Sequence, residues 1–166
     1  MSWLVDTDVL SERTKASPDL HVLEWLRDNA GDSYTSSHVI AEIGAGIERL
    51  RGRRKATLQE WLQRLSNSLG GRVLNFNATV AMVWAQQEAE YHRRGCAMPM
   101  PDSFIAATAR RHNLTIVTRN YADFQRPAYA YLIPLHLISL IVVSQISLNA
   151  QITSPRFALL FSSPPD

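Results

Sequence analysis

The chain predicts an α/β sandwich built on a mainly parallel sheet, and three observations predict it. Short apolar runs alternate with amphipathic segments of ten or more residues up to about residue 126. One of those runs, "WLVD", reads as a short fully buried strand, and "LTIVT" as a further strand. Strand-to-helix-to-strand connections of this length are right-handed crossovers, which set successive strands parallel. At 166 residues, one domain with a sizeable core is the simplest organisation. In such sheets ligands sit at the carboxyl ends of the strands.

The elements follow in order. "WLVD" is a short buried strand ended by Asp6. "PDLHVLEWLRDNAG" is a helix with Pro18 and Asp19 at its start and Gly31 after its end. In "SSHVIAEIGAGIERLRG", Ile40, Ile43, Ile47 and Leu50 recur at three- and four-residue intervals, Ser36 or Ser37 caps the first turn, and Gly52 closes the last. "ATLQEWLQRLSNSLGG" repeats the pattern with Leu58, Trp61, Leu62, Leu65 and Leu69. "RVLNF" is a further strand, "ATVAMVWAQQEAEYHRRG" and "PDSFIAATARRHN" are helices, and "LTIVT" closes the series.

Beyond residue 126 the character changes. Residues 1–126 hold 16 of the 17 Lys and Arg and 14 of the 15 Asp and Glu, leaving only Arg156 and Asp166 for the last 40. That segment is apolar and Ser/Pro-rich without helical amphipathicity. Its run from Leu132 to Leu148 is broken by Pro134, His136 and Gln145 and falls short of the roughly 20 residues a membrane span needs, so an extra strand and a loose tail are expected rather than an anchor. No basic segment followed by an apolar stretch opens the chain, and the lone Cys96 excludes an internal disulfide framework and a thiolate metal cage. The expected location is the cytoplasm, with no membrane partner.

Four carboxylates stand where a sheet-end site would want them. Asp6 ends the first strand. Glu42 lies between Ile40 and Ile43, on the flank of its helix's apolar stripe. Asp102 follows Pro101 at a helix start and shares a face with Ile105, Ala106 and Ala109. Asp123 follows "LTIVT" in "TRNYADF", where a turn presents it at that strand's carboxyl end. Each has an ordinary reading: a first-turn carboxylate favoured by the helix dipole for Asp102, an arginine pair for Glu42, a cap for Asp123. Asp8, two residues past the strand, reads as an N-cap. Together they favour a divalent cation, because clustered carboxylates repel and stay ionised together only when neutralised. Mg²⁺ takes oxygen ligands, keeps waters and binds phosphates, which points to phosphoryl chemistry.

"LVDTDVLSE", "SSHVIAEIGAGIERL" and "PMPDSFIAATARRHNLTIVTRNYADF" together resemble PIN-domain ribonucleases, specifically the VapC-type toxins of bacterial type II toxin–antitoxin modules near the FitB-like branch. The resemblance covers roughly residues 2–126 and implies a PIN-like three-layer α/β/α sandwich over 1–130, with 131–166 as a final strand and an atypical apolar tail. It implies a Mg²⁺- or Mn²⁺-dependent endoribonuclease in which Asp6, Glu42, Asp102 and Asp123 form the acidic site. Asp6 and Asp102 would be the metal ligands, and Asp8, Thr118 and Asn120 supporting residues. It further implies an RNA substrate, a cognate antitoxin and a homodimer. The departure lies at the carboxyl end, where "QRPAYAYLIPLHLI" replaces the short close of the family. A catalytically impaired PIN-like protein that binds RNA or a partner is the alternative. "WLVDTDVL" also resembles the first motif of haloacid-dehalogenase phosphatases, but Lys15 and Lys55 are poorly placed for their catalytic lysine and no adjacent acidic pair exists.

The run "RLRGRRK" places Arg49, Arg51, Arg53, Arg54 and Lys55 within seven residues. Beside a nuclease site it would supply a sequence-independent share of RNA affinity. Its ordinary reading is a solvated helix end, where the dipole favours cations.

Overall fold

A wholly parallel five-stranded sheet organises the molecule. The computed structural model describes residues 2–120 and the strand Ile138–Leu140. The strands are β1 (Trp3–Val5), β2 (Ser33–Ser36), β3 (Val73–Leu74), β4 (Thr115–Thr118) and β5 (Ile138–Leu140), in spatial order β3-β2-β1-β4-β5. β1 pairs with β2 (Leu4 opposite Tyr34) on one side and with β4 (Leu4 opposite Ile116) on the other. β5 continues the sheet beyond β4, with Val117 opposite Ser139.

Among the described residues, six helices connect the strands: α1 (Thr7–Leu10), α2 (Leu20–Asp28), α3 (Ser37–Glu48), α4 (Gly52–Leu69), α5 (Ala78–Arg93) and α6 (Met100–His112). All four residues of β4 are buried, as are Leu4 and Val5, so both faces of the sheet centre are covered, as a parallel sheet requires. The core joins these strands to Val22, Val39, Trp61, Leu65, Tyr91 and Ile105 of five helices. No helix among the described residues is long and apolar enough to cross a membrane.

The path of the chain fixes where a site belongs. From β1 it moves outward to β2 and β3, then returns through α5 and α6 to β4 on the opposite side of β1. The strand order therefore reverses between β1 and β4, the position at which open parallel sheets take ligands outside their strands' carboxyl ends.

Three local expectations change. β2 is a strand that the sequence "SYTS" does not announce, because three of its four residues are Ser or Thr and all three are buried. Each hydroxyl is satisfied: Ser33 donates to the Asn29 carbonyl (2.9 Å), Thr35 to the Val5 carbonyl (3.0 Å), and Ser36 accepts from the Val39 amide (3.1 Å) as the N-cap of α3. A polar strand can thus lie beside the core. The expected strand "RVLNF" contracts to Val73–Leu74, which among the described residues pairs only with β2. Gly52 does not close α3, which ends at Glu48; with φ of +67° it makes the left-handed corner from which α4 starts, four residues earlier than its apolar pattern.

That earlier start relocates the basic run. Arg49 is the C-cap of α3, but Arg53, Arg54 and Lys55 occupy the first turn of α4, at the positive end of its dipole. The expectation that a helix dipole favours these cations therefore holds for Arg49 alone. Lys55 is tied to Glu48 at 2.7 Å.

Candidate active site

Asp6 is built by two elements at once. Its backbone N–H donates to the Val117 carbonyl (3.0 Å), extending the ladder one residue past β1, and its carbonyl accepts from Leu10 (2.9 Å) to begin α1. Its side chain is the N-cap of α1, accepting from the Thr7 amide at 2.6 Å. The second carboxylate oxygen accepts from the Thr118 hydroxyl at 2.7 Å, which joins the ends of β1 and β4 across the point where strand order reverses. Asp6 is only 6 % exposed.

Capping by Asp6 corrects the expected role of Asp8. Asp8 stands in the first turn of α1, and one of its oxygens accepts from the Arg119 amide at 2.9 Å. Its other oxygen is buried and has no hydrogen-bond partner among the described residues. Glu42 comes from the middle of α3 and reaches α1, where it accepts from the Thr7 hydroxyl; its other oxygen lies 3.7 Å from His38 Nε2. The expected arginine partner is thus a threonine, with His38 nearby but not hydrogen-bonded. Asp102 stands in the first turn of α6, and Ile105, Ala106 and Ala109, which share its face, are each 1 % exposed. Thr118 ends β4, and its hydroxyl oxygen also accepts from the Asn120 amide at 2.9 Å, so Asn120 enters through its backbone. Asp123 lies outside the described residues.

The electrostatics bind these groups into one site. Burial, reinforced by the charges of Asp8 and Asp102, pushes the Asp6 carboxyl up to about 6, against the lowering effect of the Thr118 and Thr7 hydrogen bonds. Burial raises Asp8 as well, opposed by the Arg119 amide and by the charges of Lys15 and Arg119. Asp6 and Asp8 are therefore both held where ionisation is disfavoured, and the charges of Asp8 and Asp102 act on Asp6.

That unrelieved charge and the orphaned Asp8 oxygen suit a hard divalent cation. Among the described residues no three His, Cys, Asp or Glu side chains converge as a preassembled cage. The basic run lies apart from this cluster: Arg49 is seven residues beyond Glu42, about 10 Å along the axis of α3.

Sequence reasoning missed Thr7, His38, Glu12 and Arg119 as members of the neighbourhood. Thr7 is legible only as the neighbour of Asp6. Glu12 and Arg119, 107 positions apart, meet through tertiary structure, and no local pattern predicts it.

The PIN domain family model matches residues 3–128. The toxin FitB of Neisseria gonorrhoeae is 35 % identical over 136 residues, covering 80 % of this chain and 98 % of that protein. The VapC ribonuclease Y4jK of Sinorhizobium fredii is 32 % identical over 125 residues, covering 74 % of this chain and 89 % of the other. A solved structure of FitAB bound to an IR36 DNA fragment superposes with a TM-score of 0.70 at 30 % identity, over 84 % of this chain and 93 % of that one.

Proposed function

Because the chain belongs to the PIN-domain family, we propose that it is a divalent-metal-dependent endoribonuclease acting as the toxin of a toxin–antitoxin pair. The observation that carries this reading is the buried Asp6, bonded to Thr118 across the point where strand order reverses, its carboxyl raised by the charges of Asp8 and Asp102, with the neighbouring Thr7 bonded to Glu42. Relatives that this chain matches over nearly their whole length bear the names toxin and ribonuclease, and FitAB pairs a relative with a second protein on DNA. By analogy an antitoxin restrains this chain, which works in the cytoplasm as a homodimer.

Asp6 and Asp102 would hold Mg²⁺, with Mn²⁺ as a substitute. The bound ion supplies neutralisation of the carboxylates and a water acidic enough to attack a phosphodiester. The chain's own residues prepare that chemistry. The Thr7 amide and Thr118 hydroxyl fix both oxygens of Asp6, so its orientation is set before any ligand arrives. Glu42, oriented by the Thr7 hydroxyl, is placed to accept a proton or orient a water. Asp8, held by the Arg119 amide, keeps one oxygen for the same purpose. Asp123 is proposed to complete the acidic set.

The test is direct. Purified protein incubated with RNA cleaves it in Mg²⁺ and stops in EDTA; cleavage that persists in EDTA overturns the metal assignment, and no cleavage in either ion overturns the nuclease reading.

Arg53 and Arg54 at the start of α4 are proposed to guide RNA electrostatically, since they belong to a run of five cations within seven residues that attracts a phosphate backbone whatever its sequence. Replacing both with Gln weakens binding of single-stranded RNA several-fold at low salt and reduces the slope of log K against log salt by about 1.4, two phosphates' worth. Unchanged affinity and slope from 50 to 200 mM salt, roughly, return the run to a solvated surface.

A further inference from the structure

Glu12 is 1 % exposed, and burying a carboxylate costs several kcal/mol, roughly, unless partners answer it. Three donors do. Lys15 Nζ lies at 2.5 Å, the Asp19 amide at 2.9 Å and Arg119 Nη1 at 2.9 Å. Burial alone would raise its carboxyl, but these bonds together hold it below the usual range. A buried ion pair is weak evidence for added stability, so its geometry asks for another reason.

The geometry supplies one. The three donors come from the turn after α1, the entry to α2 and the exit of β4, so Glu12 pins the segment after β4 to the segment after β1. Arg119 stands between Glu12 and the acidic site: its guanidinium meets Glu12 while its amide orients Asp8. Its side chain is 41 % exposed, and a guanidinium has five donors in a rigid fork suited to phosphate. A carboxylate site repels the RNA backbone it must admit, so a fixed cation at its edge answers that need.

We propose that Arg119 contacts a phosphate of the RNA beside the acidic cluster, and that Glu12 is the positioning residue that holds Arg119 there. This rests on the nuclease reading and adds to it a substrate contact and its support.

The experiment compares wild type with Arg119→Ala, Arg119→Lys, Glu12→Gln and the Glu12→Gln/Arg119→Ala double variant. Three quantities are read: kcat and KM for RNA cleavage in Mg²⁺, anisotropy of a fluorescein-labelled single-stranded RNA of about 20 nucleotides in EDTA across salt, and the melting temperature. Arg119→Ala weakens binding in EDTA about fivefold and lowers the salt slope by about 0.7, one single-strand phosphate. Glu12→Gln makes the protein more positive, which by charge alone would tighten RNA binding; instead kcat/KM falls about tenfold. The double variant is no worse than Arg119→Ala, because Glu12 acts on the substrate through Arg119.

Unchanged affinity and slope in Arg119→Ala overturn the phosphate contact. Tighter binding with undiminished kcat/KM in Glu12→Gln, or losses that multiply in the double variant, overturn the positioning role. Should Glu12→Gln lose its cooperative melt, Arg119→Lys decides: charge without the fork keeps the salt slope yet lowers kcat/KM about fivefold, and wild-type behaviour overturns the proposal. If wild type itself cleaves no RNA, the nuclease reading fails, while the EDTA binding series still decides the phosphate contact.

Discussion

Asp6→Asn lowers kcat/KM for RNA cleavage by about a thousandfold or more, and at neutral pH its metal-free form is more stable than wild type. The two effects have one cause. Asp6 is 6 % exposed, and burial together with the charges of Asp8 and Asp102 raises its carboxyl to about 6 from an ordinary 3.8. Its ionised form is therefore disfavoured in the folded protein by roughly 1.36 kcal/mol per unit, on the order of 3 kcal/mol at neutral pH.

Asparagine has the same shape without the charge. Its carbonyl oxygen keeps the Thr7 amide bond, and its amide group donates to Thr118 Oγ1, whose hydroxyl hydrogen must then turn elsewhere. The gain is accordingly smaller than the full figure, about 1–2 kcal/mol. A site group whose removal stabilises the fold is retained for chemistry. Kinetics and chemical denaturation of the two proteins in EDTA check the pair of signs. A variant that is both inactive and less stable would mean that Asp6 serves chiefly as the cap of α1.

Much of this fold was legible because its decisive segments obey one period each. "WLVD" and "LTIVT" are the central strands β1 and β4, and the three- and four-residue spacing of Ile40, Ile43 and Ile47 marks α3, whose Ile43 and Ile47 are buried. β2 was not legible, since its membership rests on three buried hydroxyls that find partners only after β1, α2 and α3 are in place. Of the site, Asp6, Glu42 and Asp102 could be chosen from strand ends and helix faces. The division of labour between Asp6 and Asp8 could not. Which of them caps α1 depends on α1 starting at Thr7, a four-residue helix too short to leave a periodic trace. Glu12 was invisible for a related reason: in "LSER" it reads as a surface charge, and only the return of Arg119 after β4 explains how it stays buried.

The metal-free protein loses stability as pH rises from about 5 to about 7, and Mg²⁺ restores it at the upper end of that range. For Asp6 the folded state binds the proton more tightly than the unfolded chain, so the linkage favours the fold at low pH and is lost as pH rises through about 6. With 3.8 and about 6 as the limits, the loss between pH 5 and 7 is on the order of 1 kcal/mol, and Asp8, raised in the same direction, adds to it. Glu12 has the opposite sign: held below its ordinary 4.5, its contribution is present above that value and lost as pH falls further. His112, held below its ordinary 6.5 by burial and the charge of Arg111, opposes the Asp6 trend, since it costs stability as pH falls below that value. A cation that binds the ionised carboxylates must displace the proton, so its stabilisation grows with pH; at a hundredfold excess over Kd it reaches about 2.7 kcal/mol. Denaturation curves from pH 5 to 8, in EDTA and in Mg²⁺, therefore diverge with rising pH. Parallel curves would mean that the cation does not bind at the carboxylates of Asp6 and Asp102. In Asp6→Asn the EDTA curve flattens across the same interval, which ties the larger part of the slope to that side chain.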